Sequence, residues 1–163
     1  MSLWSTVVRS HDRIKDVKGD SDDDKHRDRI AEVRLLLTDA NGPAIVRVGT
    51  IPSYALAPWA GHVADDIVIT RERRQHYLDR HPEVESDERQ VVEALLDPSE
   101  IHINSKDMQM AIFYAQMSET IHLSVSVWVS DRTDRQNFVL SVRRAKTREV
   151  EQGRIRGRVR WKK

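Results

Sequence analysis

TIHLSVSVWV, residues 120–129, alternates without a break. Ile121, Leu123, Val125, Val127 and Val129 fall on one face of an extended chain, and His122, Ser124, Ser126 and Trp128 on the other. An apolar strand face has to be covered, and the chain's amphipathic helices are the available cover. The opposite face then offers imidazole, hydroxyl and indole groups to solvent or to a ligand. The expected fold is α+β: an antiparallel sheet of four or more strands, helices packed on one face, and an open polar face on the other.

Outward from this strand, EIHIN (100–104), MAIFYAQ (110–116) and QNFVLSV (136–142) keep the same period of two. Short polar stretches separate them, so a meander is expected. Upstream the period is 3.6. DIVI is a short strand running into Thr70, a good N-cap for a helix through about Arg80. Ser86 should cap a second helix, with Val91, Val92, Leu95 and Leu96 as its apolar stripe and Asp97-Pro98 as its stop. Ile30, Val33 and Leu37 fit a helix ending at Asn41-Gly42, while Val33, Leu35 and Leu37 also fit a hairpin arm. The helix is preferred, followed by a strand from Ala44 to Gly49. IPSYALAPWAG reads as loop, residues 18–28 as an exposed linker, and residues 3–15 as a short amphipathic helix. The Asp22-Asp23-Asp24 run lacks the glycine and glutamate offsets of a calcium loop. Residues 1–45 thus form a helical extension to a main domain over 46–163.

Near the C-terminus lies RIRGRVRW, residues 154–161. As a strand it places Arg154, Arg156, Arg158 and Arg160 on one face, with Ile155, Val159 and Trp161 on the other. The net charge of +1 hides this asymmetry: residues 143–163 carry 10 Lys and Arg against 2 Asp and Glu, and residues 1–142 carry 17 against 24. A basic end on an acidic body points to a polyanion, or to the chain's own acidic surface. At 163 residues one domain is expected, and no apolar run reaches the ~20 residues of a spanning helix. No cysteine is present, so disulfides and thiolate chemistry drop out. That absence and the polar opening stretch point to the cytoplasm. Oligomeric state is not written in the pattern.

One element concentrates titratable groups: ITRERRQHYLDRHPEV, residues 69–84. On an ideal helix His76 and His81 stand about 140° apart. Pro82, however, disfavours the α conformation at His81 and frees it from the helical lattice. Two imidazoles with Arg73 and Arg80 nearby would suit a general acid and base beside a phosphate; a plain helix end meeting its dipole is the competing reading. The five-residue spacing does not match the helical zinc motif, so no metal and no cofactor is expected. On the strands, His122 is a rival base and His102 reads as a bystander. Tyr114 could stack on a base or donate a proton, or pack in the core as its alternation with Ile112 favours, and Trp128 could stack on a nucleobase or be partly buried at the sheet edge.

Taken together, IVRVGTIPSYALAPWAG, DIVITRERRQHYLDRHPEV, VVEALLDPSEIHI and QNFVLSV resemble the phage-type branch of the barnase, EndoU, colicin and RelE-like (BECR) ribonuclease superfamily. The likeness runs in order over residues 46–142. His76, Arg80 and His81 match that family's H-x-x-x-R-H helix end, and Ser141 its late Ser/Thr; Thr50 stands where the family often has lysine. The resemblance implies metal-independent RNA cleavage by 2′-hydroxyl attack, leaving a 2′,3′-cyclic phosphate. It would make 46–163 a nuclease domain with an Arg-rich C-terminal strand. His76, His81 and Ser141 would be catalytic, with Arg73, Arg80, Arg143, Arg154, Arg156, Arg158 and Arg160 holding RNA. It further implies a toxin or effector of a phage or mobile element, with an acidic antitoxin or immunity protein as partner. The alternative is an inactive RNA-binding or protein-interaction module.

Overall fold

The computed structural model of the chain describes residues 22–51, 59, 66–132 and 134–163. In chain order these form α1 (Asp22–Thr38), β1 (Ile45–Thr50), β2 (Asp66–Thr70), α2 (Arg71–Arg80), a 3-10 turn (Pro82–Asp87) and α3 (Glu88–Leu96). There follow β3 (Glu100–Ile103), β4 (Met110–Gln116), β5 (Ile121–Trp128), β6 (Asn137–Lys146), α4 (Thr147–Ile155) and β7 (Val159–Lys162). The architecture is α+β. A seven-stranded sheet has the order β1-β2-β6-β5-β4-β3-β7, antiparallel throughout except where β2 meets β6.

The expected meander is present as β3–β4–β5–β6, with Tyr114 opposite Ser124 and Ser126 opposite Ser141. On its apolar face Phe113, Leu123, Val125, Val127 and Val142 are fully buried. Over it lie α1, α2 and α3, contributing Ile30, Val33, Leu37, Tyr77, Val91, Val92 and Leu95 to the same core. Among the described residues no helix is long and apolar enough to cross a membrane.

Three expectations are corrected. Residues 22–28, read as part of a linker, open α1, whose first turn carries Asp22, Asp23 and Asp24. Carboxylates there meet the positive end of the helix dipole, which a purely compositional reading overlooks. Ser86 does not cap α3; it lies in the 3-10 turn and bonds back to the Glu83 carbonyl at 3.0 Å. The largest correction is at the C-terminus. Residues 147–155 are helical, and strand structure resumes only at Val159. Val150 and Gly153, three apart, are the buried residues of α4 and face the sheet. Gly157 adopts φ 65, and the Arg158 and Gly157 amides bond to the carbonyls of Gly153 and Arg154 at 2.9 and 3.0 Å. That paired closure is a Schellman end, which needs glycine at the left-handed position. The four arginines therefore do not share a strand face, and the sheet's polar face is partly covered. The helix read into residues 3–15 and most of the IPSYALAPWAG loop lie outside the described residues.

Candidate active site

Helix α2 is ordered by local signals. The Thr70 hydroxyl accepts from the Arg73 amide at 3.2 Å, and Tyr77 is the helix's buried side chain. His76 is exposed and lines an open hollow with Glu72, Arg73, Gln75 and Asp79. His81 ends the helix: its amide bonds to the Tyr77 carbonyl at 2.8 Å, and its Nδ1 lies 3.5 Å from the Glu83 carboxylate. It is not part of the lining around His76. Arg80 is exposed. Because Tyr77 joins the core, α2 sits on the helix-covered side of the sheet. Ser141, paired with Ser126, sits on the other side. The fold does not gather His76, His81 and Ser141 around one point.

It gathers a different set. Strand alternation puts Glu100 and His102 of β3, Tyr114 of β4, and His122, Ser124 and Ser126 of β5 on the face away from the core. Helix α4 roofs part of it, so Glu100, His102, Tyr114, His122 and Ser124 are all buried. Glu100 accepts from His102 Nε2 at 2.8 Å and from Arg154 Nε at 2.9 Å. The His102 and Tyr114 rings meet edge-on at 4.9 Å, and Tyr114 and His122 at 6.3 Å. Tyr114 stands directly across from Ser124 on the neighbouring strand.

The protonation states follow from these surroundings. Burial pushes Glu100 up, but hydrogen bonds from Arg154 and His102 outweigh it and hold the carboxyl below its ordinary range. Burial lowers His102 more than Glu100 raises it, and Arg154 and Arg158 add to the lowering. Burial likewise lowers His122, with Arg154 adding to it and Glu100 opposing. Both imidazoles are thereby biased to the neutral form, which can accept a proton. Burial raises Tyr114, which keeps its proton. Among the described residues Nδ1 of His122 is buried without a hydrogen-bond partner. Trp128 and Phe138, stacked at 6.4 Å, continue the same face, half-buried.

The cations divide into two groups. Arg143 is bound to the carboxylate of Glu149, and Arg154 to that of Glu100. Arg156 is exposed at the end of α4, Arg158 lies in the turn after it, and Arg160 bonds to nearby backbone carbonyls. Where β6 turns into α4, a hollow is lined by Arg143, Arg144, Lys146, Arg148, Glu149 and Gln152. Arg143 is paired with Glu149 and Arg144 with Asp87, its Nε 2.7 Å from the carboxylate, and Lys146 and Arg148 complete the positive lining. Such a concentration attracts anions.

Sequence reasoning reached Tyr114, His122 and Arg143 but passed over Glu100, Gly153, Arg144, Lys146 and Arg148, and treated His102 as a bystander. The available signal was TREVEQGRI, where Val150 and Gly153 at helical spacing mark a narrow buried face. Among the described residues no group of three or more His, Cys, Asp or Glu side chains could hold a metal ion. Compared with protein-family models, with curated proteins and with solved structures, the chain matches none.

Proposed function

We propose that the chain is an endoribonuclease that cleaves RNA without a metal ion, by attack of the 2′-hydroxyl on the adjacent phosphorus, and that its catalytic face is the polar side of the sheet beside α4. One observation carries the reading: neutral-biased His122 stands opposite Ala145, in the stretch of β6 that lines a hollow rich in arginine and lysine, and His102 lies beyond it across Tyr114. Acid–base cleavage of RNA needs both parts, a proton acceptor and cations to hold phosphate charge as it builds. The half-buried Trp128–Phe138 stack on the same face would suit bases of a single strand. The sequence likeness over 46–142 implies the same reaction but assigns it to His76, His81 and Ser141; in the reading proposed here Arg73, His76 and Arg80 are a separate surface for backbone contacts.

The test is incubation with total RNA in EDTA, followed by end-group analysis. Cyclic-phosphate ends are expected, with His102→Gln or His122→Asn reducing cleavage roughly a hundredfold or more. His76→Ala and His81→Ala should leave it largely intact; their abolishing it would move the chemistry to α2. A second reading has its own observation. The histidine cluster is closed under α4, as expected of a module that binds RNA without cutting it. That reading requires salt-sensitive RNA binding with no cleavage product. An acidic partner of the antitoxin or immunity kind would compete for the same cations.

A further inference from the structure

Helix α4 sits on the imidazole whose tautomer its neighbours fix. Glu100, held ionised by Arg154, accepts from Nε2 of His102, so that nitrogen carries the proton and Nδ1 keeps the lone pair. A Cβ placed on Gly153 would stand 2.5 Å from this Nδ1 and 2.8 Å from Cε1. The helix backbone itself therefore closes off the basic nitrogen. Glycine is what lets it come so near.

The roof is held more by charge than by apolar packing. Of the nine residues of α4, Val150 and Gly153 are buried. Val150 packs on Tyr114 and Ala145. Beyond that, α4 is tied down by Arg143–Glu149 and Arg154–Glu100, with both arginines and Glu149 partly exposed. Its first residue, Thr147, is pinned by its hydroxyl and amide to the carbonyls of Glu119 and Thr120, both at 2.9 Å. Arg143 also lines the basic hollow. An anion bound there competes with Glu149 for the same guanidinium.

We propose that α4 is a displaceable cover over His102, lifted when the RNA backbone enters the hollow of Arg143, Arg144, Lys146 and Arg148. This rests on the ribonuclease reading above and adds its regulation. Phosphate draws Arg143 from Glu149, the helix turns about Thr147 and Gly157, and Nδ1 of His102 is exposed. His102 then takes the proton of the 2′-hydroxyl while the O2′–P bond forms. The P–O5′ bond breaks with its electron pair leaving on O5′, which takes a proton from water; the hydroxide formed removes the proton from His102. Glu100 is a positioning residue that keeps the reactive nitrogen on the open side.

Amide hydrogen exchange on the full chain tests the cover directly, using a 2′-O-methyl RNA oligonucleotide that binds but cannot be cut. Exchange over residues 147–155 should rise roughly tenfold with the oligonucleotide. Gly153→Ala should reproduce that rise without RNA and cleave RNA several-fold faster than the native chain, and G153A/H102Q should lose the gain. Should G153A fail to fold, Glu149→Gln, which frees Arg143 with no added bulk, should give the same rise. Unchanged or slower exchange with the oligonucleotide and in Glu149→Gln overturns the cover, whether or not RNA is cleaved. Raised exchange with no cleavage by any variant upholds the cover and sinks the ribonuclease reading instead. Cleavage that survives His102→Gln removes His102 from the role of base.

Discussion

Glu88 is buried to 1% exposure, and Arg74 is its partner, with Nε 2.5 Å from Oε1. The other carboxylate oxygen and the nearby Tyr77 hydroxyl are buried with no partner among the described residues. Burial raises the phenol well above its ordinary range, and the Glu88 charge adds to that, so it stays protonated. Removing one member of such a pair strands the other charge in an apolar setting. Arg74→Ala should therefore cost about 3–5 kcal/mol in chemical denaturation. The double change Arg74→Ala, Glu88→Gln should recover much of that loss, because the stranded charge is gone. A double mutant no more stable than Arg74→Ala would show that the guanidinium matters for packing rather than for charge.

At the scale of elements, α4 brings its own pH dependence. His102 faces Glu100, Arg154, Arg158 and Tyr114; His122 faces Tyr114 and the charges of Arg154 and Glu100. Both imidazoles are lowered from 6.5 when folded. A lowered group stabilises the fold fully above its unfolded value, and that contribution is lost as pH falls through the folded value. Glu100, also lowered, acts in the same direction from 4.5 downward. Melting temperature should therefore be flat above about pH 7 and fall on acidification from 6.5, before the carboxylates titrate. His102→Gln should flatten the upper part of that fall. Melting that rises between pH 7 and 5 would contradict the assignment of neutral imidazoles.

For the whole molecule, the sheet is a shared wall with unlike sides. One side carries the apolar core under α1, α2 and α3; the other carries a small cluster of Tyr114, Ala145 and Val150 amid charge. Truncating a central core ring should cost far more than changing the opposite face. Phe113→Ala should lose about 3–5 kcal/mol by denaturant unfolding. Ser126→Ala, on the half-buried polar side, should stay within about 0.5 kcal/mol. Comparable losses at the two positions would mean that both faces carry the fold equally. The strong alternation of residues 121–129 made this asymmetry legible, as Ile30, Val33 and Leu37 did for α1. The ends of elements were less legible, because an N-cap or a first-turn carboxylate is decided by one or two bonds.

The sequence by itself determined the meander, the helices that cover it and the apolar face between them, since periods of 2 and 3.6 are local properties of the chain. It also determined that positive charge gathers near the C-terminus. Only the tertiary structure decided where those charges go. Arg154 was spent on Glu100 and Arg143 on Glu149, because a glycine at 153 let a helix settle on the face that alternation alone leaves open. Which histidines share surroundings was likewise a matter of strand register. His102 and His122 lie 20 residues apart in sequence, but both line Tyr114, whereas His76, five residues from His81, lines a hollow with Glu72, Arg73, Gln75 and Asp79 while His81 stands beside Glu83.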